Sequence, residues 1–253
     1  MIGIFDSGMG GLTVLSAIRE VLPSSDVVYF GDTLNAPYGV RTREDLTRLT
    51  VEGLQLLQHR GANNIVSACN SVSASLAVSL FDALSLAPQQ LIEMVGPTVG
   101  YFKGSEAPLV LCATPATIQS GIYQNAFRMI GRDVQSITIE PLAGAIESGA
   151  SNEEIERVIH NAFKEATLEP GSILILACTH YPIVISAFRN VLGRDVTIFD
   201  PAFAVAERAE KQFWPQEVGD GKTVFILSKD SEPFRTLAAQ LFPNTKYEVE
   251  VIE

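Results

Sequence analysis

Two short segments of this chain carry the makings of acid/base chemistry. Residues 65–71 read IVSACNS and residues 174–180 read LILACTH, each an apolar run closed by Ala-Cys and a short polar tail. A thiol and its thiolate exchange a proton within reach of neutral pH. With one thiol on each side of a substrate carbon, Cys69 and Cys178 can remove a proton from one face and deliver one to the other. That pattern suits racemisation or epimerisation and requires no metal. Each cysteine follows a strand-like run and precedes residues that start a helix, which places both thiols at the carboxyl edge of a sheet, where open α/β folds bind ligands. The third cysteine, Cys112, sits in LVLCATP without a polar neighbour and is read as a core residue.

Polar residues beside the thiols extend the set. His180 is two positions from Cys178 and can support its thiolate or act as a general acid. His59 and His160 fall on polar helical stretches and are read as surface or capping groups. With so few histidines and with the cysteines split between motifs, a zinc site is excluded. Asp6 ends the first strand-like run and faces the same edge, either to orient an ammonium or to cap the following helix. Gly8, Gly10 and Gly11 in DSGMGG permit tight turns; the spacing is not that of a dinucleotide fingerprint, and we read an anion-accepting turn. In the loop GDTLNAPYG, Tyr38 and Gly39 offer a hydroxyl and a backbone N–H to a carboxylate, or form a rigid turn. Thr114 and Thr117 add hydroxyls at another helix start, Thr114 serving equally well as an N-cap. Glu147 follows an apolar run, and its position alone favours a solvated surface group.

The elements that must hold these residues alternate along the chain. Strands are expected at Ile2–Phe5, Val27–Phe30, Ile65–Ala68 and Leu91–Val95, then at Leu109–Cys112, Val134–Ile139, Ile173–Ala177, Val196–Phe199, Val224–Leu227 and Tyr247–Ile252. Helices are expected near Leu12–Leu22, from Thr42–Asp45 to about Arg60, and over Ser71–Leu80, Pro115–Met129, Glu153–Thr167, Pro182–Leu192, Ala202–Phe213 and Glu232–Leu241. The order predicts an α/β fold of two similar lobes with mainly parallel sheets flanked by helices and a site in the cleft between them. The Gly-rich stretch Gly96–Gly104 marks a boundary, and a second crossing near residues 200–203 returns the tail to the first lobe. The expected domains are 1–96 with 203–253, and 97–202.

Composition narrows the setting. The chain has 253 residues, 47% of them hydrophobic, and a net charge of −11, with a pI near 4.8. Such acidity argues against a nucleic-acid partner. A small anionic substrate remains compatible, because backbone N–H groups and helix N-termini can bind it. An odd cysteine count suits a reducing cytosol rather than a disulfide framework. The N-terminus lacks a signal-peptide pattern, and no apolar run is long enough for a membrane span. A soluble, cytoplasmic protein is expected.

Taken together the motifs FDSGMGGLTV at 5–14, YFGDTLNAPYG at 29–39, SACNSVSA at 67–74, ATPATIQSGIY at 113–123 and LACTHYPI at 176–183 closely resemble the cofactor-independent glutamate racemases of the aspartate/glutamate racemase superfamily. The resemblance implies two α/β domains with glutamate bound between them. It implies that Cys69 takes the α-proton from D-glutamate and Cys178 from L-glutamate, each donating in the other direction. Asp6, His180 and Glu147 match the assisting groups. Substrate contacts carry over to Asp6, Ser7, Tyr38, Gly39, Asn70, Ser71, Thr179 and His180. The family supplies D-glutamate for peptidoglycan, usually as dimers, and some members bind DNA gyrase, so a homodimer and a gyrase contact are implied. No cofactor is implied, and the chain's lysines, at 103, 164, 211, 222, 229 and 246, all lie outside the motifs, where an imine-forming lysine would be needed. Four departures stand out: Ser71 replaces the family's usual Thr, Ala177 its usual Gly before the second cysteine, IEPLAGAIE a Cys-Pro stretch, and FDPA with Pro201 a DSG. These bear on rate and substrate preference. A racemase of aspartate or another amino acid, or a non-catalytic gyrase-binding regulator, are the alternatives.

Overall fold

The computed structural model describes residues 1–73, 84–213 and 218–252. The chain opens with β1 (Ile2–Asp6), α1 (Leu12–Val21), β2 (Val27–Gly31), a 3-10 turn at Tyr38–Val40, α2 (Arg43–His59), β3 (Asn64–Ser67) and α3 (Asn70–Ser73), followed by β4 (Leu91–Glu93) and α4 (Val95–Tyr101). A second series runs β5 (Leu109–Ala113), α5 (Pro115–Ser120), α6 (Ile122–Met129), β6 (Gln135–Thr138), α7 (Leu142–Glu147), α8 (Asn152–Phe163), β7 (Ile173–Ala177), a 3-10 turn at Tyr181–Val184, α9 (Ile185–Leu192) and β8 (Thr197–Phe199). The tail adds α10 (Pro201–Phe213), β9 (Thr223–Leu227), α11 (Glu232–Leu241) and β10 (Tyr247–Val251).

The strands form two sheets, one of six in the order β10-β9-β2-β1-β3-β4 and one of four in the order β6-β5-β7-β8. Every pairing is parallel, and helices flank both sheets, giving two α/β lobes. β1, β2, β3 and β5 are buried along their whole length, as expected when both faces of a parallel sheet are covered. The last two strands join the first sheet, and α10 packs on α1 and α4. One apolar core runs through both lobes, from Ile2, Leu15 and Val66 to Val110, Leu174 and Val205.

The connections create two matching crevices. β1 leads to β2 on one side while β3 leads to β4 on the other, so the loops after β1 and β3 diverge. β5 leads to β6 and β7 to β8 in the same way, so the loops after β5 and β7 diverge. Such a divergence opens a crevice at the carboxyl edge of a parallel sheet. Asp6 and Cys69 stand at the first crevice, Thr114 and Cys178 at the second.

Local chemistry explains several element ends. Thr42 Oγ1 accepts from Asp45 N at 3.2 Å, and its own hydroxyl donates to Asp45 Oδ2 at 2.9 Å; the shorter carboxylate reaches the hydroxyl in a variant of the capping box. Ser151 and Ser231 cap α8 and α11. The single helix expected over 115–129 is two helices, because Gly121 adopts a left-handed φ of 67°. The expected strand to Val95 stops at Glu93. The stretch after it, expected as a linker, begins as a helix because the Glu93 carboxylate accepts from Val95 N and Gly96 N, both at 2.6 Å. The α7 helix was not anticipated. The expected helix over Ser71–Leu80 lies outside the described residues from 74 onward.

Candidate active site

The two crevices face one another, and their side chains line a single small cavity. Ser7, the Pro37–Gly39 turn, Cys69, Asn70 and Ser71 come from the first lobe. Thr114, Ala143, Cys178, Thr179 and His180 come from the second. The cavity measures about 10 Å³, close to the space one water needs. Larger grooves of about 520 and 730 Å³ lie elsewhere and contain none of these groups. Cys69 and Cys178 are both buried, at 5% and 6% exposure.

On the first side, Cys69 Sγ lies 3.6 Å from Ser7 Oγ. Burial pushes the Cys69 thiol up to about 12, with the Asp6 charge adding to the effect. The Asp6 carboxylate accepts Gly8 N–H at 3.0 Å and the Thr179 hydroxyl at 3.2 Å. It therefore does not cap α1, which starts after Gly11; it bridges the crevices.

On the second side, Cys178 Sγ lies 3.8 Å from His180 Nδ1, and His180 Nε2 is 2.5 Å from Glu147 Oε1. Burial by itself lowers the imidazole pKa, but contact with Cys178 and Glu147 outweighs it and holds His180 well above its ordinary value. Glu147 mirrors this: burial acts to raise it, and His180 with the Met9 N–H brings it below the usual carboxylate range. The geometry thus favours imidazolium beside Cys178, paired with carboxylate. The helix α7 that nothing in the local pattern revealed is what carries Glu147 here, rather than to the surface its position alone favoured.

The glycine turn serves this contact. Met9 N–H donates to Glu147 Oε1 at 3.3 Å, so the anion it accepts is the protein's own carboxylate. A Cβ on Gly10 would stand 2.5 Å from Thr179 Oγ1 and 2.7 Å from His180 Nδ1, and one on Gly8 would overlap the Glu147 carboxylate. Gly39 is equally tight, with its Cβ position 2.6 Å from Thr114 Cβ.

Buried hydroxyls and an amide continue the wall, where Thr117 reaches Ser71 and Thr114 without itself lining the cavity. Ser71 and Thr114 are 3.0 Å apart, Thr114 and Thr117 3.2 Å, and Ser71 and Thr117 3.5 Å. Thr114 occupies the N-cap position of α5 but its side chain makes no capping bond. Asn70 Oδ1 accepts the Tyr123 hydroxyl at 2.6 Å.

Of the two readings of Tyr38, the packed turn is the one seen. Its hydroxyl donates to Asp32 Oδ2 at 2.5 Å and its ring meets Phe5 edge-on, so the residue lines the site through its buried body while its hydroxyl is engaged by Asp32. Ser228 donates to the other Asp32 oxygen at 2.6 Å. Asp32, Tyr123 and Ser228 were not identified from the sequence. Asp32 had a findable signal, since it follows β2 just as Ser7 follows β1. Cys112 is buried against Ile175 O, and His59 and His160 are exposed, as expected. No group of three or more His, Cys, Asp or Glu among the described residues is arranged to hold a metal ion. Among the described residues no helix is long and apolar enough to cross a membrane.

Known proteins share this architecture. The Asp/Glu/Hydantoin racemase family matches residues 11–209. Glutamate racemase from Jannaschia sp. (strain CCS1) is 34% identical over 247 residues, covering 90% of this chain and 91% of that protein. Glutamate racemase from Aquifex aeolicus is 36% identical over 238 residues, covering 93% and 91%. The crystal structure of glutamate racemase from Francisella tularensis in complex with D-glutamate superposes with a TM-score of 0.88 at 25% identity, covering all of this chain and 97% of that one. With a family match across most of its length and paired thiols at matching sheet edges, the chain belongs to the Asp/Glu/Hydantoin racemase family.

Proposed function

We propose that the protein interconverts L- and D-glutamate by direct proton transfer at Cα between Cys69 and Cys178. The observation that carries this is the pairing of two buried thiols, from two separate crevices, in the wall of one small cavity. The glutamate racemases it is similar to, one of them crystallised with D-glutamate, supply the substrate.

In the proposed cycle, Cys69 as thiolate takes the α-proton of D-glutamate. The C–H electron pair passes into the α-carboxylate, and Cys178 as thiol protonates the opposite face. L-glutamate reacts by the reverse route. The Cα–H is a very weak acid, so the charge gathered on the carboxylate needs fixed donors in a dry site. The Asn70 amide is the unpaired side-chain donor at hand, with backbone N–H groups near Ser7 and Gly39; the Ser71 and Thr114 hydroxyls and Thr179, bonded to one another or to Asp6 here, would have to turn to the substrate to add to it. Asp6 suits the substrate ammonium, and an ammonium beside Cys69 opposes the rise that burial imposes on that thiol. The cavity is far smaller than glutamate, so the lobes must part for entry and close for chemistry.

The wider reading rests on the family resemblance. It makes the protein a cytoplasmic, cofactor-independent homodimer that supplies D-glutamate for peptidoglycan and contacts gyrase as some members do. It also assigns residues 1–96 with 203–253 to one domain and 97–202 to the other, which the return of β9 and β10 to the first sheet supports. Racemisation of D- and L-glutamate by the purified protein without added cofactor, followed by circular dichroism with aspartate alongside, tests the reading. No turnover of either glutamate enantiomer would overturn it.

The His180–Glu147 pair predicts a linked pH dependence. His180, with its raised pKa, contributes stability that is complete below its ordinary value and lost as pH climbs through the raised one. Glu147, with its lowered pKa, contributes stability that is present above its ordinary value and lost as pH falls through the lowered one. The pair therefore stabilises most around neutrality. Replacing Glu147 with Gln is expected to lower kcat/KM about tenfold, or about 1.4 kcal/mol, and to move the alkaline limb of the rate profile to lower pH. Its melting temperature should fall below the parent's near neutrality and approach it in acid. An unchanged profile with a pH-independent stability gap would count against the pair.

A further inference from the structure

Asn70 and Tyr123 meet across the two lobes. Asn70 opens α3, after β3 of the six-stranded sheet; Tyr123 lies in α6, after β5 of the four-stranded sheet. Both are buried, and the Tyr123 hydroxyl donates to Asn70 Oδ1 at 2.6 Å. The amide is placed with Oδ1 toward the Tyr123 hydroxyl and Nδ2 away from it. Asn70 Nδ2 is fully buried without a hydrogen-bond partner, in a residue that lines the cavity. A buried donor left unpaired is costly, so its presence there points to a ligand acceptor.

We propose that Tyr123 is a positioning residue for the substrate: its hydroxyl holds the Asn70 amide so that both Nδ2 hydrogens are offered to a glutamate carboxylate. The proposal rests on the reading of the protein as a glutamate racemase. Tyr123 is well placed for the task. Its ring stacks on Phe127, with centroids 6.4 Å apart and planes at 24°, which fixes the hydroxyl. Burial and the facing Glu93 charge keep the phenol protonated, against the opposing contact with Thr98, so it acts as a donor. Because the bond joins the lobes, it forms only when they are closed. The amide is thereby oriented as the cavity is sealed, and a neutral bond does this without adding charge to the site. The hydroxyls of Ser71, Thr114 and Thr117 are engaged with one another; the amide is the side-chain donor in this wall that stands unpaired.

The test is a double-mutant cycle with Tyr123→Phe, Asn70→Ala and both together, read by steady-state kinetics on each glutamate enantiomer. Tyr123→Phe keeps the ring and removes the donor. It is expected to raise KM about fivefold to tenfold, the range of one neutral hydrogen bond, with a smaller change in kcat and an unchanged melting temperature. Asn70→Ala should raise KM further, and the double variant should be no worse than Asn70→Ala alone. A parental KM in Tyr123→Phe, losses that add in the double variant, or a Tyr123→Phe protein that no longer folds would each overturn the positioning role. If the parent protein itself fails to racemise glutamate, the underlying reading falls instead.

Discussion

Replacing either Cys69 or Cys178 with alanine is expected to lower racemisation of glutamate by at least about 10³-fold, within the range that a positioned acid or base contributes. The two variants should fold as the parent does. Each loses one small buried group, Cys69 from the wall of a cavity and Cys178 from its opposite wall, and neither sulfur is a member of a disulfide. Serine variants then separate the faces. Cys178→Ser retains a competent thiol at Cys69 and should still exchange the α-proton of D-glutamate, while Cys69→Ser should still exchange that of L-glutamate. A serine hydroxyl is too weak an acid to complete either transfer. Deuterium wash-in from D₂O, followed by proton NMR on each enantiomer, reads this directly. Full racemisation by either alanine variant would remove the two-thiol mechanism, and identical exchange patterns in the serine variants would remove the assignment of faces.

The contrast between the thiols makes the serine experiment informative. Cys69 is held high by burial and by Asp6, whereas Cys178 sits beside a cationic His180. Catalysis from the D side therefore requires the substrate to change the environment of Cys69, through its ammonium and through the closing of the lobes. The L side has its charge partner already in place.

Much of this arrangement was legible in the linear chain where the signal was local. Each expected strand is present; β10 shows as an alternating run at the sheet edge, while the central ones are short apolar runs bounded by turn residues, as at Ile173–Ala177. Cys69, Cys178, Asp6 and His180 were legible for the same reason, since each closes or follows such a run. Helix ends were less so. A left-handed Gly121 divides one expected helix, and the Glu93 carboxylate converts an expected linker into α4; in both a single residue overrides the local pattern. The partners joined through space were hidden. Glu147 meets His180 only after α7 folds back, Tyr123 meets Asn70 from the other lobe, and Ser228 meets Asp32 only because β9 returns beside β2. Glu147 lies against His180 rather than at the surface its local pattern favoured.

Gly10 supplies the second large effect. Replacing it with alanine is expected to lower kcat/KM by about 100-fold, the cost of a misplacement near 1 Å at reacting groups, with little change in melting temperature. The added Cβ would lie 2.5 Å from Thr179 Oγ1 and 2.7 Å from His180 Nδ1, both in the opposite lobe and both beside Cys178. Those groups cannot simply swing away. Thr179 is held by Asp6 at 3.2 Å, and His180 is clamped between Cys178 and Glu147. The clash therefore falls where the two lobes meet rather than in the apolar core. Gly100→Ala is the control: Gly100 lies in α4, nothing stands within 4 Å of its Cβ position, and alanine favours a helix over glycine. It should keep parental activity with an equal or higher melting temperature. Small-angle scattering with saturating glutamate should show the Gly10→Ala protein more extended than the parent. Parental kcat/KM in that variant would mean that the lobes react without the close approach seen here, and that the glycines of the first turn do not govern closure.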